Sequence, residues 1–205
     1  MLAAVSTATI ADRDLLATSS AATSENAEGT AVSGTIPPTS FLANLVNMDL
    51  LDQNGNNFDV KKLQGKTVLF NFIFTHCGSI CPMQTKVLAE TMNEIPESVR
   101  SQTEFVSISI DPVNDTPEVL KTFSTSLKAN FRNWQFLTGD SAQIDALTQR
   151  LLIFDKGEQN KPQVHRTSLW LVDKKGRMLQ RYRGDPPDKA RLVRELNQIS
   201  RITIQ

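Results

Sequence analysis

The 205-residue chain has two cysteines, two histidines, one tyrosine and no excess of charge of either sign. Each shortage narrows what the protein can be. Two cysteines cannot build the disulfide framework of a small secreted scaffold. Lys plus Arg and Asp plus Glu number 22 each, so no net field draws the chain to nucleic acid or to an anionic membrane surface. Neither is an expected partner. No apolar run approaches the roughly eighteen residues that a membrane-spanning helix needs. Met1-Leu2-Ala3-Ala4-Val5 lacks the basic start and long apolar stretch of a secretory signal, so the expectation is a soluble chain.

What is there suffices for one domain, since 40% of the residues are hydrophobic. Ala3 to Thr39 is rich in Ala, Ser and Thr, has no apolar period, and ends in Ile36-Pro37-Pro38-Thr39. Such a stretch buries too little apolar surface to offset its ordering entropy. Residues 1–38 are therefore expected to be a disordered tail or tether, of the kind left behind an export signal or membrane anchor. Residues 39–205 are the expected domain, with order beginning near Phe41.

Leu45 to Leu51, Gln53-Asn54-Gly55-Asn56 and Phe58 read as a short N-terminal β-hairpin, because Asn-Gly supplies the positive backbone angles of a tight turn. Asp59 can cap a helical turn that ends near Leu63. Thr67 to Phe74 is β-branched, aromatic and almost unbroken, as expected of a central strand buried on both faces. A helix should start within the cysteine stretch and run to about Asn93. Phe105 to Ile110 is a second buried strand, and Asp115 or Thr116 can cap the helix that Pro117 opens. Strand at Trp134, helix from Ser141, strand from Thr167, hairpin partner at Met178 and closing helix from Asp188 complete the order. Alternating strands and helices with a terminal hairpin imply a mixed sheet with helices on its faces. Sites in such sheets gather where central strands hand over to helices.

Thr75-His76-Cys77-Gly78-Ser79-Ile80-Cys81-Pro82 sits at such a junction and holds both thiols. Cysteines at i and i+4 point to one side of a helical turn, and the positive end of the helix favours thiolate at the first. Inert core cysteines are the bland alternative, but Gly78, Ser79 and Pro82 mark a loop or helix start. There the pair can close as a disulfide or offer two soft ligands to Cu(I) or Zn(II). His165 lies just before the Thr167 strand, and if that strand pairs near the central one it falls over the cysteine loop. Cys77, Cys81 and His165 would then form a three-coordinate site suited to transferable Cu(I), and to Zn(II) only with a fourth ligand. His76 can stabilise thiolate or bind a second ion, Met83 reads as a core methionine, and Trp134 and Trp170 read as core aromatics.

Phe74 to Pro82, Ser109-Ile110-Asp111-Pro112-Val113-Asn114-Asp115-Thr116-Pro117-Glu118, and Val164-His165-Arg166-Thr167 before a strand resemble the Sco/SenC family of copper-binding proteins. The resemblance runs from about Ile36 to Ile202 and implies a thioredoxin-like α/β domain. It implies tethering to a membrane in the bacterial periplasm, facing the inner membrane, or in the mitochondrial intermembrane space. It also implies copper, as Cu(I) and in some states Cu(II), held by Cys77, Cys81 and His165, with a Cys77–Cys81 disulfide when oxidised. Implied partners are a copper donor chaperone and cytochrome c oxidase subunit II, or another copper acceptor. Asp111 matches an acidic motif near the family's site. The chain departs from the family pattern at Gly78, Ser79 and Val164, where proline and acidic residues are common. Fewer negative charges should weaken attraction for a cation and favour thiolate at Cys77.

Two functional readings stand side by side. One is a metallochaperone. The other is a thiol-disulfide oxidoreductase in which Cys77 attacks and Cys81 resolves the mixed disulfide, although redox thioredoxins space their cysteines by two and carry cis-proline where this chain has Arg166. A peroxidase fits less well, since one cysteine would suffice. Lys174, Lys175, Arg181 and Arg183 could face an acidic partner or simply guard an edge hairpin. The polar loop 155–166, which carries His165, should be among the most mobile segments.

Overall fold

Every residue of the apolar run Thr67–Ile73 is buried, as a strand covered on both faces requires. The computed structural model describes residues 35–158 and 161–201; most of the expected tail lies outside them. Ile36 is already in the core, so packing begins ahead of Phe41. The strands are β1 (Leu50–Asp52), β2 (Thr67–Ile73), β3 (Thr103–Ser109), β4 (Trp134–Gly139), β5 (Ser168–Val172) and β6 (Met178–Arg183). They form one six-stranded sheet in the order β1-β4-β3-β2-β5-β6. β2, β3 and β4 run parallel, while β1, β5 and β6 pair antiparallel with their neighbours. The helices are α1 (Ile80–Glu94), α2 (Glu97–Arg100), α3 (Pro117–Ser126), α4 (Ser141–Arg150) and α5 (Lys189–Ser200).

The N-terminal hairpin is present in reduced form. Of the expected first arm, Leu45 to Leu51, only Leu50 and Leu51 are strand, and Leu45 instead closes a 3₁₀ turn, Phe41–Leu45, capped by the Ser40 side chain. β1 turns through Gly55 at φ +79 and returns by a single bridge between Leu51 and Asn57. Asp52 explains the shortness, because its carboxylate accepts from the N–H groups of Asn54 and Asn56 and wraps the turn tightly. Most of β1's ladder is made with β4.

Strand alternation assigns the two faces of the sheet. Asn71, Ser107, Trp134 and Phe136 share one face, where Gln84 of α1 bonds Asn71 and the Phe123 ring of α3 meets Phe136. α5 joins α1 there through Lys189, which pairs with Glu90 and Glu94. Phe70, Phe72 and Trp170 share the opposite face. Phe41 packs on Phe70 at 5.1 Å, and α4 lies with this N-terminal segment through Gln143–Asp49 hydrogen bonds.

A row of buried polar groups crosses the first face. Trp134 Nε1 donates to Ser107 Oγ (2.9 Å), Ser107 Oγ to Asn71 Oδ1 (2.7 Å), Asn71 Nδ2 to Gln84 Oε1 (2.6 Å), and Gln84 Nε2 to the Gly184 carbonyl (2.9 Å). Every member finds a partner, so the row fixes α1 in register with three strands without an orphaned dipole. Gly184 is required at its end: a Cβ there would meet Thr167 O at 2.1 Å and Gln84 Nε2 at 2.2 Å.

Candidate metal centre

β2 delivers the chain into the cysteine loop, and α1 leaves it at Ile80. The N-cap residue Ser79 makes no side-chain cap bond. Sulfur takes that part: the Cys81 N–H donates to Cys77 Sγ at 3.4 Å, so one of the unpaired donors of the helix start is met by the first thiol. Pro82 follows in the first turn, where its missing N–H costs nothing. The Cys77 N–H is itself tied to the Phe74 carbonyl at 3.3 Å. The loop thus brings the two cysteines together, both as free thiols.

Their environments differ. Partial burial pushes the Cys77 thiol up, but the backbone groups of Cys81, Ser79 and Ile80 and the Cys81 side chain outweigh it, and the net shift is downward. Cys81, 1% exposed, is pushed up to about 12, chiefly by burial, with the charges of Cys77 and Asp115 adding to the rise and the Phe74 backbone opposing it. Cys77 is the more readily ionised sulfur and Cys81 the held thiol.

This asymmetry predicts a pH dependence. An unfolded Cys81 titrates near 9 and the folded one near 12. Between those values the unfolded chain binds fewer protons, so stability falls as pH rises, by about 1.4 kcal/mol per unit. Urea midpoints of reduced protein from pH 8.5 to 10.5 should fall more steeply for the wild type than for Cys81→Ala. Parallel slopes would show that Cys81 is not held protonated.

The carboxylate against this loop is Asp115 rather than Asp111. Asp115 is fully buried and accepts from Thr75 N–H (3.2 Å to each oxygen), Thr75 Oγ1 (2.5 Å) and Ser109 Oγ (2.6 Å). Asp111 instead holds its own turn, with Asn114 Nδ2 at 2.9 Å from both of its oxygens. Thr116 caps α3, which frees Asp115 from the capping role that the sequence allowed it. Met83 is exposed, not in the core, because α1 buries Cys81, Gln84, Thr85 and Leu88 and turns Met83 outward. His76 is exposed, its Nδ1 3.4 Å from Thr75 Oγ1.

His165 arrives on the same end of the sheet through the antiparallel pairing of β5 with β2. It is buried, edge-on to Phe74 at 5.7 Å. Nδ1 is 2.6 Å from Pro162 O and Nε2 is 3.2 Å from Phe72 O. Burial holds the imidazole neutral, pushing its pKa down against the two carbonyl contacts. A neutral ring has one N–H, and the shorter contact assigns it to Nδ1, donating to Pro162 O. The Nε2 lone pair is then left facing a carbonyl, with no donor. His165 in this seat does not join the cysteines: among the described residues, no three Cys, His, Asp or Glu side chains converge closely enough to hold a metal.

The profile of the SCO1/SenC family matches residues 44–201. The chain belongs to that family. A SCO1 protein homolog of Bacillus subtilis (strain 168) is 35% identical over 136 residues, covering 65% of this chain and 70% of that one. A SCO1/SenC family lipoprotein from Bacillus anthracis str. Ames superposes with a TM-score of 0.65 at 28% identity, over 76% of this chain and 96% of that one. BsSco, a member of the Sco family of cytochrome c oxidase assembly proteins in which a disulfide switch was identified, superposes with a TM-score of 0.62 at 28% identity, over 75% and 91%. The thioredoxin-like fold expected from the resemblance to Sco/SenC proteins is the fold found. No described helix is long and apolar enough to cross a membrane.

Proposed function

We propose that this protein is a copper metallochaperone that delivers its metal to the dinuclear copper site of cytochrome c oxidase. Reduced Cys77 and Cys81, joined by His165, hold Cu(I) and release it by ligand exchange. The observation that carries the reading is the cysteine loop itself, where one thiolate-prone and one buried sulfur meet at a helix start. Two soft sulfurs favour Cu(I) over hard ions. His165 supports the set: ligand histidines commonly donate their other ring N–H to a backbone carbonyl, as Nδ1 does to Pro162 O, and Nε2 has a lone pair that no donor occupies. To reach the metal, the ring must leave Phe72 O. A ligand that swings between two seats opens the site for transfer.

Membership of a family in which BsSco is a cytochrome c oxidase assembly protein supports that acceptor. A copper donor chaperone on one side and the oxidase's copper-bearing subunit II on the other are the proposed partners. The B. anthracis relative is a lipoprotein, which supports an extracytoplasmic place, in the periplasm facing the inner membrane, with residues 1–38 as tether. A second reading rests on the asymmetry of the thiols. A half-buried attacker with a lowered pKa and a buried resolver are what a thiol-disulfide oxidoreductase needs, and two electrons from the pair would reduce an acceptor's disulfide.

Anaerobic Cu(I) titration against a competing chelator tests the first reading. Reduced protein should take about one equivalent and protein oxidised to the Cys77–Cys81 disulfide none, since a disulfide offers no thiolate. Equal uptake by both forms would sink the chaperone.

A further inference from the structure

Three arginines lie toward the end of the sheet that carries His165, and among the described residues only one of them, Arg166, has an ion-pair partner. β6 is an edge strand, paired only with β5. Its register sets Arg183 opposite Ser168 and Arg181 opposite Trp170, so both arginines lie on the Trp170 face, away from α1. Arg181 is pinned: its guanidinium sits 5.1 Å over the Trp170 ring and its Nε donates to Ser168 Oγ at 3.0 Å. That bond tilts it along the sheet toward the β5 end that carries His165. Arg166, the next residue after His165, is paired with Asp155. Arg183 is exposed and, among the described residues, has no ion-pair partner; nor has Arg181.

The cluster is electrostatically unfinished. Burial and the neighbouring Arg166 charge both disfavour the charged form of Arg181, and no carboxylate opposes them. A chain with 22 charges of each sign has no general surplus to explain this, so the excess is local. Lys174 and Lys175 belong to the other end of the hairpin, where Lys174 Nζ donates to Gln102. The backbone beneath the cluster is firm, because Gly184 is pressed against Thr167 O and Gln84. The strand ends that present Arg183, His165 and the cysteine loop are thus one end of one sheet.

The geometry points to Arg166, Arg181 and Arg183 as a docking patch for a carboxylate-rich protein segment, which would be held beside the cysteine loop while metal changes hands. The Arg181 guanidinium, already fixed on the Trp170 ring, loses little entropy on pairing with a carboxylate. Complementary charge raises the encounter rate and sets orientation, which a transfer by ligand exchange requires. An anionic lipid surface shares part of this chemistry, but a patch at the end of the sheet from which the cysteine loop leaves β2 serves a partner that must meet the sulfurs. The identity of that partner as a copper acceptor rests on the reading above; the patch itself does not.

Metal-free protein is titrated into fluorescein-labelled (Glu-Gly)₆ and (Gln-Gly)₆ peptides at low salt, and anisotropy is followed. The Glu peptide should bind about tenfold more tightly, with the preference lost near 0.5 M salt. Arg181→Gln/Arg183→Gln should bind it about tenfold more weakly. Because Arg181 packs on Trp170, the exposed Arg183→Glu alone is the second variant, with a loss of about threefold or more. Equal binding of the two peptides, or variants that bind as the wild type does, would overturn the patch. So would arginine-dependent sedimentation with phosphatidylglycerol vesicles in the absence of peptide preference. Cu(I) uptake by the variants should match the wild type. A wild type that takes up no copper yet prefers the Glu peptide removes the chaperone reading and leaves the patch standing.

Discussion

Cys77→Ala and Cys81→Ala should each weaken Cu(I) retention by about a thousandfold, and His165→Ala by about tenfold to a hundredfold. The free energy typical of a four-ligand structural zinc site, shared among its ligands, leaves about 2.5–4 kcal/mol for each, with a thiolate at the upper end. The histidine loses less because it must first give up its contacts with Phe74 and Phe72 O. Hydrogen exchange separates ligand from bystander. Amides of residues 161–166 should slow when Cu(I) binds, because metal ties down a single 3₁₀ turn and the residues after it, which belong to no strand or longer helix. His165→Ala should abolish the slowing while still forming the Cys77–Cys81 disulfide on oxidation. Identical exchange with and without saturating copper would show that His165 is no mobile ligand, and would put the oxidoreductase ahead.

Asp115→Ala should destabilise the fold by about 3 kcal/mol. Its carboxylate accepts from one backbone N–H and two hydroxyls, all on elements that frame the cysteine loop. Removing it leaves the Thr75 N–H and two hydroxyl groups without their acceptor in a buried place, and orphaned donors cost about 1–3 kcal/mol each when nothing replaces the partner. Asp115→Asn should lose less, since its amide oxygen can still accept. A second readout follows from charge: with Asp115 gone, Cys81 loses one of the influences that hold it protonated, so its alkylation at pH 9 should speed up in both variants. Denaturant midpoints and mass-spectrometric alkylation rates check the two effects. An unchanged midpoint in Asp115→Ala would show that the loop is held by something else.

The central strands were legible because burial on both faces leaves an unbroken apolar run, as at Thr67–Ile73. The cysteine pair was legible because loop-forming Gly78, Ser79 and Pro82 surround it. What the sequence hid was the polar traffic. Asn71, Ser107 and Gln84 read as incidental within apolar segments, yet they form the buried row that seats α1. Their partners come from separate elements, so no local pattern marks them. Asp115 was visible only as a possible cap, because a capping aspartate and one turned inward look the same until the strand bearing Ser109 is placed. Met83 went wrong for a related reason: one helical position decides whether a methionine faces sheet or solvent. The four-residue α2 went unnoticed, being too short to show a period.

The antiparallel seating of β5 against β2 has a consequence for the order in which the site is assembled. Val68 pairs with Val172 and Asn71 with Leu169, contacts roughly a hundred residues apart, and such long-range pairings close late because the loop entropy must be met first. The two cysteines, separated by one helical turn, are neighbours from the earliest collapse. His165 acquires its seat only when β5 slots in. A folding chain therefore passes through a stage with both sulfurs close before His165 has reached its seat, in which oxidation to a disulfide can run ahead of the rest of the fold. On the proposed function, thiol reductants during folding would then matter as much as copper supply afterwards.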